Sequence, residues 1–221
     1  MGQKVNPTGV RVGINREWPS RWYAGKKDFG NFLGEDVKIR RYFEDRYSEA
    51  GIAEVNIARN SRELVVTVKT SKVGVVLGKG GEKANEIEKS LSKIAGRKVK
   101  LEVETVDQPE LNSTVVAEDV CRQLEKRQPF RRVAKMAVQK AMENGAKGAK
   151  VLIGGRLGGA EMARSEFFTD GSVPLQTLRA DISYAYDRAE TIYGTFGVKV
   201  WIYKGDRFDA RKAKNSDTTE S

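Results

Sequence analysis

A turn bounded by glycines, Gly78-Lys79-Gly80-Gly81, most constrains the fold of this chain. It follows the apolar run 73–77 and precedes the segment 82–94, whose apolar residues recur every three or four positions, as on one face of a helix. Glycine lets a second backbone approach closely, and the first N–H groups of a helix lack intrahelical partners and suit phosphate. The sequence therefore predicts a helix–turn–helix corner that can hold a phosphate backbone.

Two nucleotide-binding interpretations of this turn fail on spacing. A P-loop needs four residues between its glycines and a Ser or Thr after the lysine, whereas Gly74 and Gly78 enclose three residues and Gly80 follows the lysine. A dinucleotide fingerprint needs a final glycine where this chain has Lys83. A plain structural corner remains open when the turn is considered alone.

The elements around the turn give it a context. Hydrophobic periodicity predicts a helix from about Asp36 that stops at Gly51, strands at 53–58 and 64–68, a short helix at 72–77, a helix ending near Ile94, and a strand at about 98–104. This order, with a GXXG turn between the two middle helices, resembles the type II KH nucleic-acid-binding module. We therefore expect residues 29–108 to form a type II KH domain whose residues Gly78, Lys79, Gly80 and Gly81 contact RNA.

Residues 109–205 are predicted to form a second α+β domain. The segment 107–110 breaks the pattern and marks the boundary. The predicted elements are a hairpin of helices, at about 113–128 and 130–144, and strands at about 149–156, 163–169, 179–189 and 197–204. Two helices on a four-stranded, mainly antiparallel sheet make an α+β fold. In the last strand, alternation places Val198, Val200 and Ile202 inward and Lys199, Trp201 and Tyr203 outward.

Composition favours a polyanionic partner and excludes several kinds of enzyme. The 221 residues include 40 Lys and Arg against 30 Asp and Glu, a net charge of +10, which favours nucleic acid. The chain has no histidine and one cysteine, Cys121, which excludes a disulfide framework, a zinc cluster and a histidine-based triad. We expect no catalytic residue, no metal and no cofactor, and we interpret Cys121 as a small buried hydrophobic residue.

Two further expectations concern location and the end of the chain. No apolar run is long enough to span a membrane and no signal-peptide pattern is present, so we expect a cytoplasmic protein without a membrane partner. Residues 206–221 are charged and almost free of apolar side chains, which predicts a disordered tail.

Residues 1–28 mix cations with flat side chains and have no regular periodicity. Cationic groups pair with phosphate and aromatic rings stack on exposed bases, so an irregular arm of this kind is typical of RNA binding. The predicted contacts are Lys4, Arg11, Arg16, Trp18, Arg21, Trp22, Tyr23, Lys26 and Lys27. The alternative is a surface arm whose tryptophans only anchor it on the neighbouring domain.

The second hairpin helix carries Arg131, Arg132 and Lys135 in one sector, away from its apolar side. No acidic residue of that sector neutralises them. Three cations on adjacent turns of a rigid helix can follow a phosphate backbone without reading its sequence. The alternative is an ordinary solvated basic face.

With these features together, the chain closely resembles the bacterial family of small-subunit ribosomal protein S-three. The similarity covers residues 1 to about 205 and is carried by the segments 1–7, 20–24, 154–161, 174–181 and 197–205, together with Gly9, Gly13 and Trp18. The resemblance implies a structural constituent of the head of the small ribosomal subunit. Its implied partners are small-subunit ribosomal RNA, messenger RNA, neighbouring proteins of the head, and two ribosomal proteins that share the channel by which messenger enters.

The resemblance also implies residue roles. A basic triplet on the hairpin helix supports the unwinding of structured messenger in that family, and Arg131, Arg132 and Lys135 match it. Arg156 and Arg164 are the expected ribosomal-RNA contacts of the C-terminal loop. The family often has a bulky or charged residue where this chain has Gly80, so a backbone contact is expected there instead of a side-chain contact.

Two other functions remain open on the sequence. A stand-alone KH regulator of messenger RNA would explain the turn and the charge, but it leaves the arm and the second domain without a purpose. An RNA-processing enzyme or NTPase with an accessory KH domain is disfavoured, because the nucleotide loop and histidine are absent.

Overall fold

The computed structural model describes residues 4–60, 63–78 and 81–207, and the chain forms two compact units. One unit is Trp18–Pro109, and the other joins Met1–Glu17 to Glu110–Ser221. The chain thus divides after Glu17, whereas the sequence analysis placed a boundary after residue 28.

The helices and strands within the described ranges are as follows. The helices are α1 (Pro7–Arg11), α2 (Phe29–Arg46), α3 (Val73–Leu77), α4 (Glu82–Ala95), α5 (Ser113–Glu125) and α6 (Phe130–Glu143). The strands are β1 (Ser20–Arg21), β2 (Ile52–Arg59), β3 (Leu64–Thr70), β4 (Val99–Thr105), β5 (Gly148–Gly155), β6 (Arg164–Gly171), β7 (Ala180–Thr191) and β8 (Gly194–Asp206). Short 3-10 turns occur at Ser48–Ala50, Pro109–Leu111 and Leu157–Gly159.

The unit Trp18–Pro109 is a sheet of order β1-β2-β3-β4 with its helices on one face. Strands β2 and β3 are antiparallel, and β3 and β4 are parallel. Alternate residues of the central strands, such as Val66 and Val68, are buried against Phe43 of α2 and Leu91 of α4. The order α2-β2-β3-α3-α4-β4 confirms the predicted type II KH arrangement.

Helix α2 begins seven residues before the predicted start at Asp36. Gly30 and Gly34 lower the helix propensity of its first turns, so the local pattern does not reveal them. Tertiary contacts compensate, because the Trp22 ring packs 5.3 Å from that of Phe29 and its Nε1 donates to Asp36 Oδ2 at 2.8 Å. The beginning of α2 is therefore stabilised by residues that precede it and by the sheet.

A buried arginine completes this anchor. Arg59 of β2 pairs with Glu35 at 2.6 Å and with Asp36 at 2.5 Å, and it donates to Phe32 O at 3.2 Å. Asp36 is only 3% exposed, so its charge needs these donors and that of Trp22. The cluster fixes the first turns of α2, together with Trp22, to β2 of the sheet.

The other unit has a fully antiparallel sheet of order β6-β5-β8-β7, with α5 and α6 on one face. Each predicted strand is present, with its ends shifted by at most three residues. The shared core contains Val133 and Ala134 of α6 together with Val151 and Val198 of the sheet. This arrangement confirms the predicted α+β domain.

Cys121 lies in this core, as its position on the apolar side of α5 indicates. Burial raises the pKa of its thiol well above the ordinary value, and the nearby carboxylate of Asp187 raises it further. A thiol that stays protonated is a poor nucleophile, which confirms its interpretation as a buried packing residue.

The other face of this sheet is not uniformly solvated. Trp201 and Tyr203 point away from α5 and α6, as predicted, but they are only 7% and 8% exposed. They form a second small core with Ala180 and Ile182, against which Leu175 packs. The segment between β6 and β7 thus covers one end of this face.

The end of β8 also differs from the prediction. Asp206 was assigned to the disordered tail, but it ends β8 and accepts hydrogen bonds from Tyr203 Oη at 2.7 Å and Arg179 Nε at 2.9 Å. Residues 208–221, the remainder of that predicted tail apart from Arg207, lie outside the described residues.

Helix α1 is attached to this unit by the buried side chain of Arg11. Its guanidinium donates to the carbonyl oxygens of Ala180 at 2.8 Å, Pro7 at 3.1 Å, Leu175 at 3.0 Å and Thr177 at 2.8 Å. The side chain is 1% exposed, and burial lowers the pKa of Arg11. The prediction that Arg11 contacts RNA is therefore corrected, because its donors are used inside the protein.

We expect Arg11→Met to lower the stability of this unit by about 2–4 kcal/mol, since charge-assisted hydrogen bonds each contribute about 1.5–3 kcal/mol and buried carbonyls would lose their donors. Hydrogen exchange of β7 and β8 amides in the full-length protein measures the loss. Arg16→Met is the matched control, because Arg16 makes one long hydrogen bond, at 3.4 Å, to Ile182 O. Equal protection in the two variants would contradict the anchoring role of Arg11.

Candidate nucleic-acid interface

The glycine turn presents the uncapped start of α4. Gly81 is the N-cap residue, with φ 82° and ψ 7°, and it offers the first amides of the helix no side-chain cap. Gly78 has φ 70° and ψ −176°, a conformation that is essentially restricted to glycine. These amides are donors suited to phosphate. Lys79 and Gly80 lie outside the described residues, so the structure locates only the two ends of the predicted contact.

The space beside the turn differs at its two ends. A Cβ added at Gly81 would meet no atom within 4 Å, whereas one at Gly78 would lie 2.7 Å from Cγ of Lys83. Both glycines are partly exposed. A ligand backbone can therefore approach the start of α4 from the side of Gly81.

The basic sector of α6 lies at the surface. Arg131, Arg132 and Lys135 are exposed, while Val133 and Ala134 of the same helix are buried, as the periodicity predicts. Among the residues that the structure describes, no carboxylate pairs with Arg132 or Lys135. These two cations remain available to an anion from outside the chain.

Arg131 differs from its two neighbours because Glu166 of β6 faces it. The carboxylate accepts from Arg131 Nε and Nη2, both at 3.3 Å, and from Arg164 Nε at 3.1 Å. Hydrogen bonding from Arg131, with a contribution from Arg164, holds the pKa of Glu166 below its ordinary value. The sector has no acidic residue of its own, as predicted, but Glu166 of a distant strand pairs with Arg131.

This pairing brings together residues that the sequence analysis assigned to separate sites. Arg131 was predicted to contact messenger and Arg164 to contact ribosomal RNA, yet they share one carboxylate. The arginine side chains are 66% and 51% exposed, so these ion pairs contribute little stability and can exchange for phosphate. Glu166 lies on a strand distant in sequence from α6, and strand alternation is the local signal that places it on the helix side of the sheet.

Arg156, the other predicted residue of the C-terminal loop, is partly buried. Its Nε donates to Ala160 O at 2.9 Å and its Nη1 to Tyr193 O at 3.4 Å. These bonds close the loop that contains the 3-10 turn Leu157–Gly159. Arg156 therefore shapes the loop, and its contact with ribosomal RNA stays a prediction.

The N-terminal arm divides by role. The contacts of Trp22 with α2 fit the alternative in which tryptophan anchors the arm, whereas Trp18 and Tyr23 are 68% and 95% exposed. Lys26 and Lys27 are exposed as well. Strand β1, which contains Arg21, pairs in parallel with β2, and Arg40 Nη2 donates to Ser20 Oγ at 2.9 Å. The arm is thus partly built into the sheet.

The described residues also bear on membrane insertion and on metal binding. Within the described ranges, no helix combines the length and apolar character needed to cross a membrane. The same residues contain no group of three or more His, Cys, Asp or Glu side chains that could hold a metal ion.

Comparison with known proteins places this geometry in a family. A KH domain model matches residues 38–111, and a model described as "Ribosomal protein S3, C-terminal domain" matches residues 120–202. The chain is 48% identical over 214 residues to small ribosomal subunit protein uS3 of Desulforudis audaxviator (strain MP104C), covering 97% of this chain and 98% of the relative.

Two further relatives carry the same name. The protein of Shouchella clausii (strain KSM-K16) is 48% identical over 206 residues, covering 93% of this chain and 94% of the relative. The protein of Anaeroplasma abactoclasticum is 52% identical over 216 residues, covering 96% of this chain and 86% of the relative.

A charged substitution at Gly81, compared with its uncharged counterpart, tests the glycine turn. In Gly81→Asp, a carboxylate enters the open space beside the amides of α4, so we expect weaker binding of the full-length protein to single-stranded RNA. Gly81→Asn is the matched control, because Asn has the same shape and also tolerates a positive φ but carries no charge. Fluorescence anisotropy measures both affinities, and equal affinities would argue against a phosphate contact at this turn.

Removal of the shared carboxylate tests the basic sector. We expect Glu166→Gln to tighten RNA binding and to steepen its salt dependence, by about 0.7 in slope for each additional phosphate contact with a single strand. Glu143→Gln changes the net charge equally at the other end of α6, about 18 Å from Arg131 at 1.5 Å per residue. Identical salt slopes for the two variants would show that Arg131 and Arg164 do not engage phosphate.

Proposed function

Because this chain belongs to the family of small ribosomal subunit protein uS3, we propose that it is a structural constituent of the subunit head that binds small-subunit ribosomal RNA and lines the channel by which messenger RNA enters. It is not an enzyme. Its further partners are the neighbouring proteins of the head and of that channel. The observation that carries the proposal is the exposed pair Arg132 and Lys135 on α6, without a carboxylate partner among the described residues.

The geometry of α6 supports a contact with the messenger backbone. Arg132 and Lys135 are three residues apart on a helix, so they are surface neighbours whose Cβ atoms lie about 5–6 Å apart. Arg131 lies beside them and holds Glu166 through an exposed ion pair that phosphate can replace. A helix that is packed on a sheet through Val133, Ala134 and Val138 holds these cations rigidly.

The proposed mechanism divides the work between this protein and the translating ribosome. Arg131, Arg132 and Lys135 hold one strand of the messenger through its phosphates, which requires no base sequence. Translocation supplies the free energy that separates the strands of a messenger hairpin. The protein thus contributes position and electrostatic attraction, and no covalent step.

The KH unit supports a second contact of the same chemical kind. The uncapped amides of α4 and the positive-φ glycines at 78 and 81 allow a close approach of a sugar–phosphate backbone. We propose that this contact and the exposed part of the N-terminal arm hold ribosomal RNA. Both contacts recognise the backbone more than the bases, as suits a protein with a fixed place in a large RNA particle.

Ribosomes that carry Arg131→Ala, Arg132→Ala and Lys135→Ala together test the messenger contact. We expect them to pause longer than the wild type at a stable messenger hairpin and to translate an unstructured message at the same rate. The control is a second triple variant that removes the same charge from exposed positions elsewhere in the C-terminal unit. It carries Lys126→Ala, Lys140→Ala and Lys147→Ala. Single-ribosome or rapid-quench kinetics give the pause times, and equal pauses in the two triple variants would remove the proposed role.

A further inference from the structure

The outer face of the second sheet is the side away from α5 and α6. It carries aromatic and cationic residues that take part in neither the glycine turn nor the basic sector of α6. Strand alternation places Phe167 of β6, Lys199 of β8, and Tyr186 and Arg188 of β7 on this face. In the register, Leu152 of β5 lies opposite both Phe167 and Lys199, and Lys199 lies opposite Tyr186. One continuous row of side chains therefore crosses all four strands, in the order Phe167, Leu152, Lys199 and Tyr186.

One half of the outer face is covered and the other half is open. Trp201 and Tyr203 lie under the segment that includes Leu175, as described above. In contrast, Phe167 is 61% and Tyr186 is 49% exposed, and Lys199 and Arg188 are exposed. A ring of this size that remains in water on the face of a regular sheet has apolar area available to a ligand.

The cations of the open half lie close to its rings. Lys150 Nζ lies 4.7 Å from the centre of the Phe167 ring, and Lys199 Nζ lies 5.9 Å from that of Tyr186. The guanidinium carbon of Arg188 lies 5.8 Å from the Tyr186 ring, and its Nε donates to Tyr186 Oη at 3.2 Å. These contacts hold each ring beside a positive charge.

Two carboxylates of this sheet lie on its helix side. Glu166 and Asp187 occupy alternate positions, opposite the buried Ile153 and Val198, and therefore belong to the helix side. In the part of the chain that the structure describes, Lys150, Lys199 and Arg188 pair with no carboxylate. Glu190, also on the outer face by alternation, lies towards the far end of β7.

Lys4 adds another cation to the same face. It lies beside Lys150, and burial together with this like charge lowers the pKa of Lys150. Two neighbouring ammonium groups without an anion between them are mutually repulsive, and an external anion relieves that repulsion. This contact gives Lys4, predicted as an RNA-binding residue of the arm, a place on the sheet.

The floor of the open half is flat beside Tyr186. Gly154 and Gly197 lie opposite each other on β5 and β8, so no side chain rises from the sheet at this point. A Cβ added at Gly197 would lie 3.4 Å from Cε2 of Tyr186, which places the ring against the glycine backbone. The tyrosine ring is thereby held in a defined position instead of extending freely into water.

We propose that the open half of the outer face binds a single-stranded or looped RNA segment, with bases stacked on Tyr186 and Phe167 and phosphates held by Lys199, Arg188 and Lys150. Exposed rings interleaved with unpaired cations complement a polyanion with flat bases. An apolar protein surface would bury the same cations without counter-charges, which is costly. The site is separate from the glycine turn and lies on the opposite side of the sheet from α6.

The first test uses the full-length protein with Gly81→Asp, Arg132→Ala and Lys135→Ala as background, so that the contacts proposed earlier do not dominate. In that background, Tyr186→Ala with Phe167→Ala should weaken binding of a fluorescent single-stranded RNA of about 12 nucleotides roughly tenfold, with an unchanged salt slope, since stacking carries no charge. Tyr186→Phe, which keeps the ring, should bind as the background does. Unchanged affinity in the double alanine variant would overturn the proposal.

The second measurement separates phosphate contacts from stacking and RNA from protein. Lys199→Gln with Arg188→Gln should weaken binding and reduce the salt slope by roughly 1.4, for two phosphates on a single strand. Photocrosslinking in assembled small subunits, mapped by mass spectrometry, should join the peptide that contains Tyr186 to RNA. Crosslinks from this peptide to a protein neighbour alone would assign the face to a protein partner and overturn the proposal.

Discussion

The alternation of side chains along β5 and β8 forces Val151, Val198 and Val200 beneath the two helices and sends Lys150 and Lys199 to the opposite side of the sheet. The remaining features of the C-terminal unit depend on this period of two. It buries an apolar face, which stabilises the unit, and it places Glu166 and Asp187 on the side opposite Lys150 and Lys199. A register shift of one residue would exchange the two faces and lose both properties together.

The two units meet the same chemical demand in different ways. The KH unit presents backbone donors, because glycines at 78 and 81 leave the start of α4 without a side-chain cap. The C-terminal unit presents side-chain cations on a helix and on a sheet face. Both kinds of group attract phosphate without distinguishing bases. The net charge of +10 therefore favours RNA binding through the places where the cations are concentrated.

Periodic patterns in the sequence were sufficient to predict the type and order of the main elements. The alternation of Val198, Val200 and Ile202 predicts strand β8, and the spacing of apolar residues predicts helix α6. Each pattern lies within one element, so the local sequence is enough to detect it. The exposed cations of α6 follow from the same periodicity. These features can be predicted without knowing which residues from other parts of the chain pack against them.

The misses all depend on contacts between residues that are distant in sequence. The early start of α2 needs Trp22 and Arg59, and the ion pair of Arg131 needs Glu166 from β6. The burial of Trp201 needs the segment before β7. The composition of the arm predicted RNA contacts. It did not distinguish the cations that face solvent from Arg11, which is enclosed by carbonyl groups.

The position of Arg11 also constrains the order in which the chain folds. Its acceptor at Ala180 lies 169 residues further along, so α1 leaves a synthesising ribosome long before the carbonyl group that will hold it exists. The segment Trp18–Pro109 forms its own compact unit and is complete well before that point. Since domains generally fold as units during synthesis, the KH unit folds while the first helix is still undocked, and closure of this long loop is a late step in the maturation of the protein.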